Sequence, residues 1–394
     1  MKKLTSFITF SIAFTIFSCS SSDSVSTPTE TYPNVIAAFS GKIDLNNLSN
    51  YATQSKPAYI TKDNTARNPI TDKGATLGRV LFYDKNLSSN NTISCASCHI
   101  QANAFGDDTD ASDGVNGTTT RHAMRLVNSR FSNETKFFWD ERATTLEAQT
   151  SQPIQNHIEM GFSGTIGDGS ITTLITKLQA IGYYKELFKY VYGSEEITET
   201  KLQNALAQFI RSIQSFDSKY DTGRAAVQNE NQPFSNFTAQ ENQGKNLFLT
   251  PPVFDASGVR ISGGFGCAGC HAPPEFDIDP NTKNNGVIGV LNGTGIDITN
   301  TKAPSLRDLL NANGTPNGPM MHTGSFATLQ NVIGHYGTIT IAPRNTNLDP
   351  RLTPSGFGQQ LNINATEVTA LIAFIKTLTG TNVYTDPKWS SPFK

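Results

Sequence analysis

Two short stretches decide the fold: Ile93-Ser94-Cys95-Ala96-Ser97-Cys98-His99 and Cys267-Ala268-Gly269-Cys270-His271. In each stretch, two cysteines stand three positions apart and a histidine follows the second. Residues i and i+3 share one face of a helical turn, so both sulfurs can reach the two vinyl groups of one porphyrin. The histidine can then supply a nitrogen to the iron. The sequence therefore predicts two covalently bound haem c groups.

The chain contains five cysteines, and only Cys19 lies outside the two motifs. One alternative is a zinc site formed by the paired cysteines, and another is a disulfide within each pair. Neither alternative explains why a histidine directly follows both pairs. Haem attachment accounts for all three residues of each motif.

Length and charge exclude some classes of protein. The 394 residues are enough for two domains of ordinary size, each with its own core. The formal net charge is −2 and the sequence has no basic stripe, so we expect no nucleic-acid partner.

The N-terminus has the pattern of an export signal. Lys2 and Lys3 precede the apolar residues 4–17, which are too few for a mature membrane span. Ile16-Phe17-Ser18-Cys19 resembles a lipobox, whose cysteine is lipidated after cleavage. We expect a signal peptide over residues 1–19, a low-complexity tether over residues 20–32, and a periplasmic protein held to a membrane by lipid on Cys19. The alternative is a plain secretory signal cleaved elsewhere, and both predict export.

Hydrophobic periodicity predicts a mostly α protein with long loops. The clearest helices cover residues 171–192 and 198–220, and in the second of them Leu202, Leu206 and Phe209 recur on one face. Further helices are expected over residues 71–82, 144–149, 238–249, 325–336 and 366–378, with an irregular arm over residues 33–69 and a loop over residues 105–120.

The two motifs are preceded by similar segments. Gly78-Arg79-Val80-Leu81-Phe82 comes before Cys95, and Gly244-Lys245-Asn246-Leu247-Phe248 comes before Cys267. This internal repeat predicts two cytochrome c-like domains, each carrying one haem. We place the boundary in the glycine-rich residues 161–169, which gives domains over residues 33–165 and 166–394.

Longer stretches carry a family resemblance. They are Gly78-Arg79-Val80-Leu81-Phe82-Tyr83-Asp84, the first haem motif, Phe138-Trp139-Asp140-Glu141-Arg142-Ala143-Thr144-Thr145-Leu146-Glu147-Ala148-Gln149, Ala303-Pro304-Ser305-Leu306-Arg307 and Met321-His322-Thr323-Gly324-Ser325-Phe326-Ala327-Thr328-Leu329. Over residues 68–379 the chain resembles the bacterial di-haem cytochrome c peroxidases. Their relative, the di-haem enzyme that oxidises tryptophans of methylamine dehydrogenase, is included in this resemblance.

The resemblance gives the haem on His99 the role of the peroxide-reacting haem. It places Glu159 at the family's distal acid–base, and Trp139, Gln149 and Glu159 stand ten residues apart, as in the family. A carboxylate there can take a proton from one oxygen of hydrogen peroxide and deliver it to the leaving oxygen. The alternative is that Glu159 caps a turn or pairs with a surface base.

Two further residues match the family around this haem. Gln149, with Pro153, matches positions that shape the distal pocket, and Gln149 could order a water there or be a solvated residue at a helix end. Trp139 matches a tryptophan between the two haems, where an indole could relay electrons. It is equally an aromatic core residue that holds the domains together, and the two roles are compatible.

The resemblance makes the haem on His271 the electron-transfer haem, and its sixth ligand falls on Tyr336. Peroxidases commonly have methionine at this position, whereas the tryptophan-oxidising relative has tyrosine. The alternatives are that Tyr336 is only a helix-face aromatic and that His335, Met320 or Met321 is the ligand.

Two other expectations follow from the resemblance. Arg307 is expected to pair with a haem propionate. The family also binds an interdomain calcium through an asparagine side chain and two later carbonyls, and those positions here are His122, Asn317 and Pro319. Imidazole is a poor ligand for a hard cation, so the chain departs from the calcium pattern. His122 could instead be a distal ligand of the first haem or a hydrogen-bonded structural residue.

The function expected from these residues is an exported di-haem peroxidase. It would reduce hydrogen peroxide to water with electrons from a small exported carrier, either a cytochrome c or a copper protein. The alternatives are peroxide-dependent oxidation of a protein or small-molecule substrate, which Tyr336 favours, and a pure electron-transfer di-haem cytochrome. A homodimer is compatible with each of them.

Overall fold

The computed structural model describes residues 31–133, 136–278 and 282–393. The predicted signal peptide, Cys19 and nearly all of the tether lie outside these residues. Its eleven described α-helices are α1 (Pro33–Phe39), α2 (Asp72–Tyr83), α3 (Cys95–Cys98), α4 (Leu146–Thr150), α5 (Ile171–Gln179), α6 (Gly182–Tyr192), α7 (Glu199–Ser212), α8 (Lys219–Ala225), α9 (Ala239–Leu249), α10 (Leu329–Gly337) and α11 (Ala365–Lys376).

Strands are few and short in the described residues. They form three antiparallel hairpins, which are β1 (Asp113–Gly114) with β2 (Gly117–Thr118), β3 (Pro252–Phe254) with β4 (Arg260–Gly263), and β5 (His271–Ala272) with β6 (Asp277–Ile278). The prediction of a mostly α protein with long loops is confirmed. None of the described helices combines the length and apolar character needed to cross a membrane.

The helix before the first haem motif crosses α7 at very short distance. A Cβ atom added to Gly78 of α2 would lie 2.0 Å from the carbonyl oxygen of Ala205, so only glycine allows this approach. One turn later, Phe82 packs against Phe209 of α7 with ring centroids 5.1 Å apart. The glycine and the aromatic of the repeated segment thus both serve one helix crossing.

The second motif has the same arrangement. A Cβ atom on Gly244 of α9 would lie 1.9 Å from the carbonyl oxygen of Ala370 in α11. Phe248 packs against Phe374, with ring centroids 5.3 Å apart. The internal repeat of the sequence therefore corresponds to two equivalent helix crossings, and in each crossing the helix that carries the glycine precedes one Cys-x-x-Cys-His motif.

Helices α6 and α7 pack beside the helix that precedes the first motif. Helix α7 packs on α2 and on α4, and α6 packs on α1 and α2, so residues 171–212 lie with the first motif. A second apolar cluster contains Tyr220, Phe248, Phe276 and Phe374, and it includes side chains of α8, α9 and α11. Residues Pro33–Lys394 form one compact unit, and the domain limits given above stay a prediction.

Three predicted elements differ from the structure. The helix predicted over residues 198–220 stops at Ser212, because the backbone and side-chain amides of Asn128 bind the extended segment that follows. Residues 33–39 form a helix within the arm predicted as irregular, since the Glu186 carboxylate accepts the N–H groups of Asn34 (3.1 Å) and Val35 (2.9 Å). The predicted loop over residues 105–120 contains the β1–β2 hairpin.

The other differences are local. The predicted helix over residues 171–192 is divided between Gln179 and Gly182 into α5 and α6. The helix predicted from residue 325 begins at Leu329, where Thr328 accepts the N–H of Asn331 at 3.2 Å and caps the first turn.

Candidate active site

The first motif folds as one turn of helix, α3. The backbone N–H of Ser94 donates to Ser97 Oγ at 3.0 Å, which fixes the start of the turn. Both cysteines are free, and burial raises the pKa of Cys95 to about 12 and of Cys98 to about 11. Among the described residues, no group of three or more cysteine, histidine and carboxylate side chains could hold a metal ion.

The motif histidines have the protonation state that haem requires. Burial lowers the pKa of His99, and its Nδ1 lies 3.3 Å from the carbonyl oxygen of Phe105. Burial also lowers the pKa of His271 to about 4, although the nearby carbonyl of Pro304 opposes this effect. His271 Nδ1 is a buried nitrogen without a hydrogen bond. Both imidazoles are neutral, and neutral imidazole is the form that binds iron.

A cavity of about 190 Å³ adjoins the first motif. Its wall includes His99 on one side and four of the predicted site residues, which are Trp139, Gln149, Pro153 and Glu159. The wall continues to Pro304, whose carbonyl lies near His271. The structure thus brings together residues that stand far apart in the sequence and extends the cavity toward the second motif.

The cavity wall also contains a cation that the sequence analysis missed. The guanidinium of Arg125 donates to the carbonyl oxygen of Ser305 at 3.2 Å, but its Nε is buried with no hydrogen-bond partner. A partnerless buried guanidinium nitrogen in the cavity wall fits a haem propionate. Arg121, Arg125 and Arg130 look alike in the sequence, so no local signal singles out Arg125.

The backbone at Glu159 is held by the β1–β2 hairpin. Val115 N–H donates to the carbonyl oxygen of Glu159 at 3.1 Å, and Asn116 N–H donates to that of Ile158 at 3.2 Å. A Cβ atom on Gly114 would lie 2.1 Å from the Ile158 oxygen, so the hairpin approaches this closely only because residue 114 is glycine. The backbone of Glu159 is therefore fixed by two segments.

The side chain of Glu159 faces the cavity, and no described residue gives its carboxylate a hydrogen bond or an ion pair. Burial raises the pKa of Glu159, and the guanidinium of Arg142 opposes this effect in part. A raised pKa brings a carboxylate closer to the range in which it can both accept and donate a proton near neutrality. The expectation that Glu159 caps a turn or pairs with a base has no support in its contacts.

Trp139 joins segments from both halves of the chain. It is 8% exposed, and its indole Nε1–H donates to the carbonyl oxygen of His122 at 2.7 Å. Its own carbonyl accepts the N–H of Lys302 at 3.0 Å, and its ring lies 6.3 Å from that of His322. The contacts suit both of the roles expected for Trp139.

Gln149 belongs to the short helix α4, whose first turn is capped by Thr145. Its side-chain amide lines the cavity and forms no hydrogen bond with any described residue. A free amide at this place is suited to binding a water molecule or a small ligand.

Tyr336 lies on α10 and is turned toward the second motif. Burial raises the pKa of its hydroxyl, and the sulfurs of Cys270 and Cys267 lie close enough to add to the effect. The Tyr336 oxygen accepts from Asn285 Nδ2 at 3.4 Å, and Met321 Sδ lies at the same distance from that nitrogen. Two of the ligand candidates therefore meet at one amide.

The other two candidates are engaged elsewhere. His335 Nε2 lies 2.9 Å from the backbone carbonyl oxygen of Asn285, so this nitrogen carries the proton of a hydrogen bond. Met320 belongs to the apolar cluster of the second helix pair.

Arg307 is fully buried and bound within the protein. Its guanidinium pairs with Asp221 at 3.0 Å and donates to the carbonyl oxygen of Pro274 at 2.7 Å. Its Nε has no hydrogen-bond partner. Arg307 does not line the cavity at the first motif, and its pairing with a propionate stays a prediction.

The side chain at the family's calcium position, His122, does not fit a calcium site. His122 Nδ1 lies 2.9 Å from the carbonyl oxygen of Thr109, so the ring donates a hydrogen bond and offers no oxygen ligand. The side chain of Asn317 donates to the carbonyl oxygen of Asp308 at 2.7 Å. His122 thus has the contacts of a hydrogen-bonded structural residue.

Comparison with known proteins agrees with this geometry. Residues 72–229 match the family model for di-haem cytochrome c peroxidase. The methylamine utilization protein MauG of Methylophilus methylotrophus is 30% identical over 322 residues, which cover 79% of this chain and 84% of the relative. Cytochrome c551 peroxidase of Nitrosomonas europaea is 29% identical over 320 residues, covering 78% of this chain and 80% of the relative.

A solved structure adds to the match. The crystal structure of a MauG-like protein associated with microbial copper homeostasis superposes with a TM-score of 0.66 at 28% identity, and the match covers 86% of this chain and 99% of the other. The fold and the paired motifs thus define a protein built for two c-type haems. The chain belongs to the di-haem cytochrome c peroxidase family, and it is an oxidoreductase of the peroxidase type.

Proposed function

We propose that this protein reduces hydrogen peroxide to water at the haem attached through His99, with Glu159 as the acid–base group. The observation that carries this proposal is a partnerless carboxylate with a raised pKa in the wall of the cavity beside His99. The reaction consumes one peroxide, two protons and two electrons and forms two waters. When bound, the haem iron supplies the redox centre that peroxide oxidises.

Glu159 moves the protons in this proposal. Its carboxylate takes a proton from one oxygen of the peroxide and returns it to the other, so the second oxygen leaves as water rather than as hydroxide. The backbone bonds from Val115 and Asn116 hold Glu159 in place during the transfer. Gln149, whose amide is free in the same wall, orients the peroxide or the product water.

Trp139 is proposed as the electron relay between the two haems. Its indole lies in the cavity wall, which extends to Pro304 beside His271. The Nε1–H is bonded to a backbone carbonyl, which is not a base at neutral pH. An electron can therefore leave and return to the indole without a proton transfer at Nε1.

We propose that Tyr336 is the sixth ligand of the haem that His271 would hold, and that this haem would take up the electrons. The donor is a small exported redox carrier, either a cytochrome c or a copper protein. In keeping with this, we propose that the protein is exported, cleaved at the predicted lipobox and held in the periplasm by lipid on Cys19. A homodimer stays compatible with this function.

One observation favours a second function, the peroxide-dependent oxidation of a protein or organic substrate. Phenolate stabilises the ferric state and higher oxidation states, so Tyr336 on the second iron would suit storage of oxidising equivalents. A pure electron-transfer cytochrome receives no support, because it would leave the free Glu159 carboxylate without a role.

The test is steady-state turnover of peroxide with reduced cytochrome c by the holoprotein. Glu159→Gln should lower turnover by about 10²- to 10⁴-fold, the usual contribution of general acid–base catalysis. Glu195→Gln, at an exposed glutamate, is the matched control and should retain full activity. Two haems per chain and unchanged spectra must accompany the loss in Glu159→Gln.

The same preparation separates the three functions. Turnover with the cytochrome supports the peroxidase, whereas reaction with peroxide that proceeds only with an organic or protein substrate supports the second function. If neither haem is ever high-spin and peroxide changes no spectrum, both enzymatic functions are wrong.

A further inference from the structure

The distal side of the second motif brings two dissimilar ligand atoms together at Asn285. The side-chain Nδ2 of Asn285 lies 3.4 Å from Tyr336 Oη and 3.4 Å from Met321 Sδ. Tyr336 Oη and Met321 Sδ are therefore no more than about 6.8 Å apart, which is the sum of these two distances. An amide nitrogen carries two N–H groups, one for each of these acceptors.

The orientation of this amide is set by the protein. Asn285 Oδ1 accepts the backbone N–H of Val287 at 3.0 Å, so the oxygen must point to Val287 and the nitrogen to the two ligand atoms. The backbone carbonyl of Asn285 is in turn bound by His335 Nε2 at 2.9 Å. Asn285 is thus anchored to α10, the helix that carries Tyr336, and cannot turn its amide over without losing a hydrogen bond.

Met321 is held in an unusual backbone conformation. Its φ is +70°, and residues other than glycine seldom adopt a positive φ. The turn is closed by Gly324 N–H, which donates to the carbonyl oxygen of Met321 at 3.1 Å, and by Met320 N–H, which donates to that of Phe326 at 2.8 Å. These bonds direct residues 320 and 321 apart, so Met320 joins the apolar cluster and Met321 faces Asn285.

We propose that Met321 is a second, alternative ligand of the haem attached through His271, and that Asn285 is the positioning residue that holds Tyr336 and Met321 ready for exchange. This inference rests on the proposed role of Tyr336 as the sixth ligand. An anionic oxygen favours ferric iron, whereas a thioether favours ferrous iron. Tyr336 would be the ligand in the oxidised protein, and Met321 would be the ligand in the reduced protein.

In the exchange, the iron would take up one electron from the small redox carrier. Tyr336 Oη would leave the iron, and Met321 Sδ would take its place. The departing oxygen takes one proton from solvent and is then held as a neutral hydroxyl by Asn285. The ligand exchange would couple the arrival of the first electron to a rearrangement of α10 and of residues 320–324.

The test uses the full-length holoprotein without peroxide. In the reduced wild type, proton NMR should show the strongly upfield-shifted methyl of a haem-bound methionine. Met321→Leu should abolish this signal, and Met320→Leu, the matched control at the neighbouring buried methionine, should retain it. Absence of the signal in the reduced wild type, or its persistence in Met321→Leu, would overturn the proposal.

A second measurement addresses the oxidised protein. Tyr336→Phe should keep the second ferric haem low-spin, with the near-infrared charge-transfer band of a thioether ligand and a raised midpoint potential. The double variant Tyr336→Phe/Met321→Leu should turn this haem high-spin. A high-spin haem already in Tyr336→Phe would show that Met321 does not reach the iron.

The role of Asn285 has its own readout. Asn285→Ala should leave two haems per chain but yield a mixture of ligand states in the ferric spectrum, and unchanged spectra together with an unchanged midpoint potential would refute the positioning role. None of these measurements depends on turnover. A failure of the peroxidase proposal, seen as an active Glu159→Gln variant, is therefore distinguishable from a failure of the ligand exchange.

Discussion

Asp308 is a buried carboxylate that is expected to reduce stability at neutral pH. It is 0% exposed, and its Oδ1 accepts the N–H of Gly380 (2.8 Å) and the hydroxyl of Tyr384 (3.3 Å), whereas its Oδ2 has no hydrogen-bond partner. Burial is the main cause that raises its pKa from 3.8 to about 6. The replacement Asp308→Asn keeps the accepting oxygen and removes the charge.

The size of the effect follows from the pKa. One unit corresponds to about 1.4 kcal/mol, so the shift at Asp308 corresponds to about 3 kcal/mol. Because the folded pKa lies above that of the unfolded chain, the folded state binds more protons between the two values, and stability falls as the pH rises through that interval. Below 3.8 the wild type and Asp308→Asn should be alike, and above about 6 the variant should be more stable by nearly the full amount.

The assay is urea unfolding of the holoprotein at a series of pH values, followed by circular dichroism. Asp221→Asn is the matched control, because Asp221 is a buried carboxylate whose pKa is lowered by its ion pair with Arg307. Breaking that ion pair in Asp221→Asn should lower the free energy of unfolding by about 3–5 kcal/mol at neutral pH. If Asp308→Asn and the wild type lose stability in parallel from acid to neutral pH, the Asp308 carboxylate is not the destabilising group.

Glycine positions give two further predictions. Gly114→Ala places a methyl group 2.1 Å from the carbonyl oxygen before Glu159, so it should displace the carboxylate and reduce peroxide turnover while leaving both haem spectra intact; turnover equal to wild type would contradict the role of the hairpin. Gly78→Ala and Gly244→Ala each overpack one helix crossing and should lower the free energy of unfolding by about 1–3 kcal/mol or more. Mass spectrometry should show reduced incorporation of the first haem in Gly78→Ala and of the second haem in Gly244→Ala. Gly334→Ala, where an added methyl group meets no atom within 4 Å, is the control and should be neutral or stabilising.

The helices show how much of the secondary structure apolar periodicity alone can predict. The centre of α7 was predictable, because its apolar spacing reflects a face that must be buried somewhere. Its end at Ser212 was not, since the next residues are drawn into an extended segment by Asn128, which is 87 positions away from Ser215. The start of α1 depends in the same way on Glu186, a partner 151 or 152 positions away.

The candidate site was likewise only partly predictable from the sequence. Glu159 and Trp139 were found through their spacing and a family resemblance, and the structure brings both into the cavity wall beside His99. Arg125 and Asn285 were not found, because nothing in their neighbourhoods in the sequence distinguishes them from surface residues. Their importance comes from partners supplied by other segments.

The sequence by itself predicted the two haem attachment sites and the family, because the three residues of each Cys-x-x-Cys-His motif lie within five positions and need no distant residue. Only the tertiary structure decided what surrounds each site. Arg307 pairs with the buried Asp221, whereas Arg125 Nε has no hydrogen-bond partner. Asn285 contacts Tyr336, which lies 51 positions later in the chain. These contacts depend on how loops from distant parts of the chain pack, and no local pattern encodes that packing.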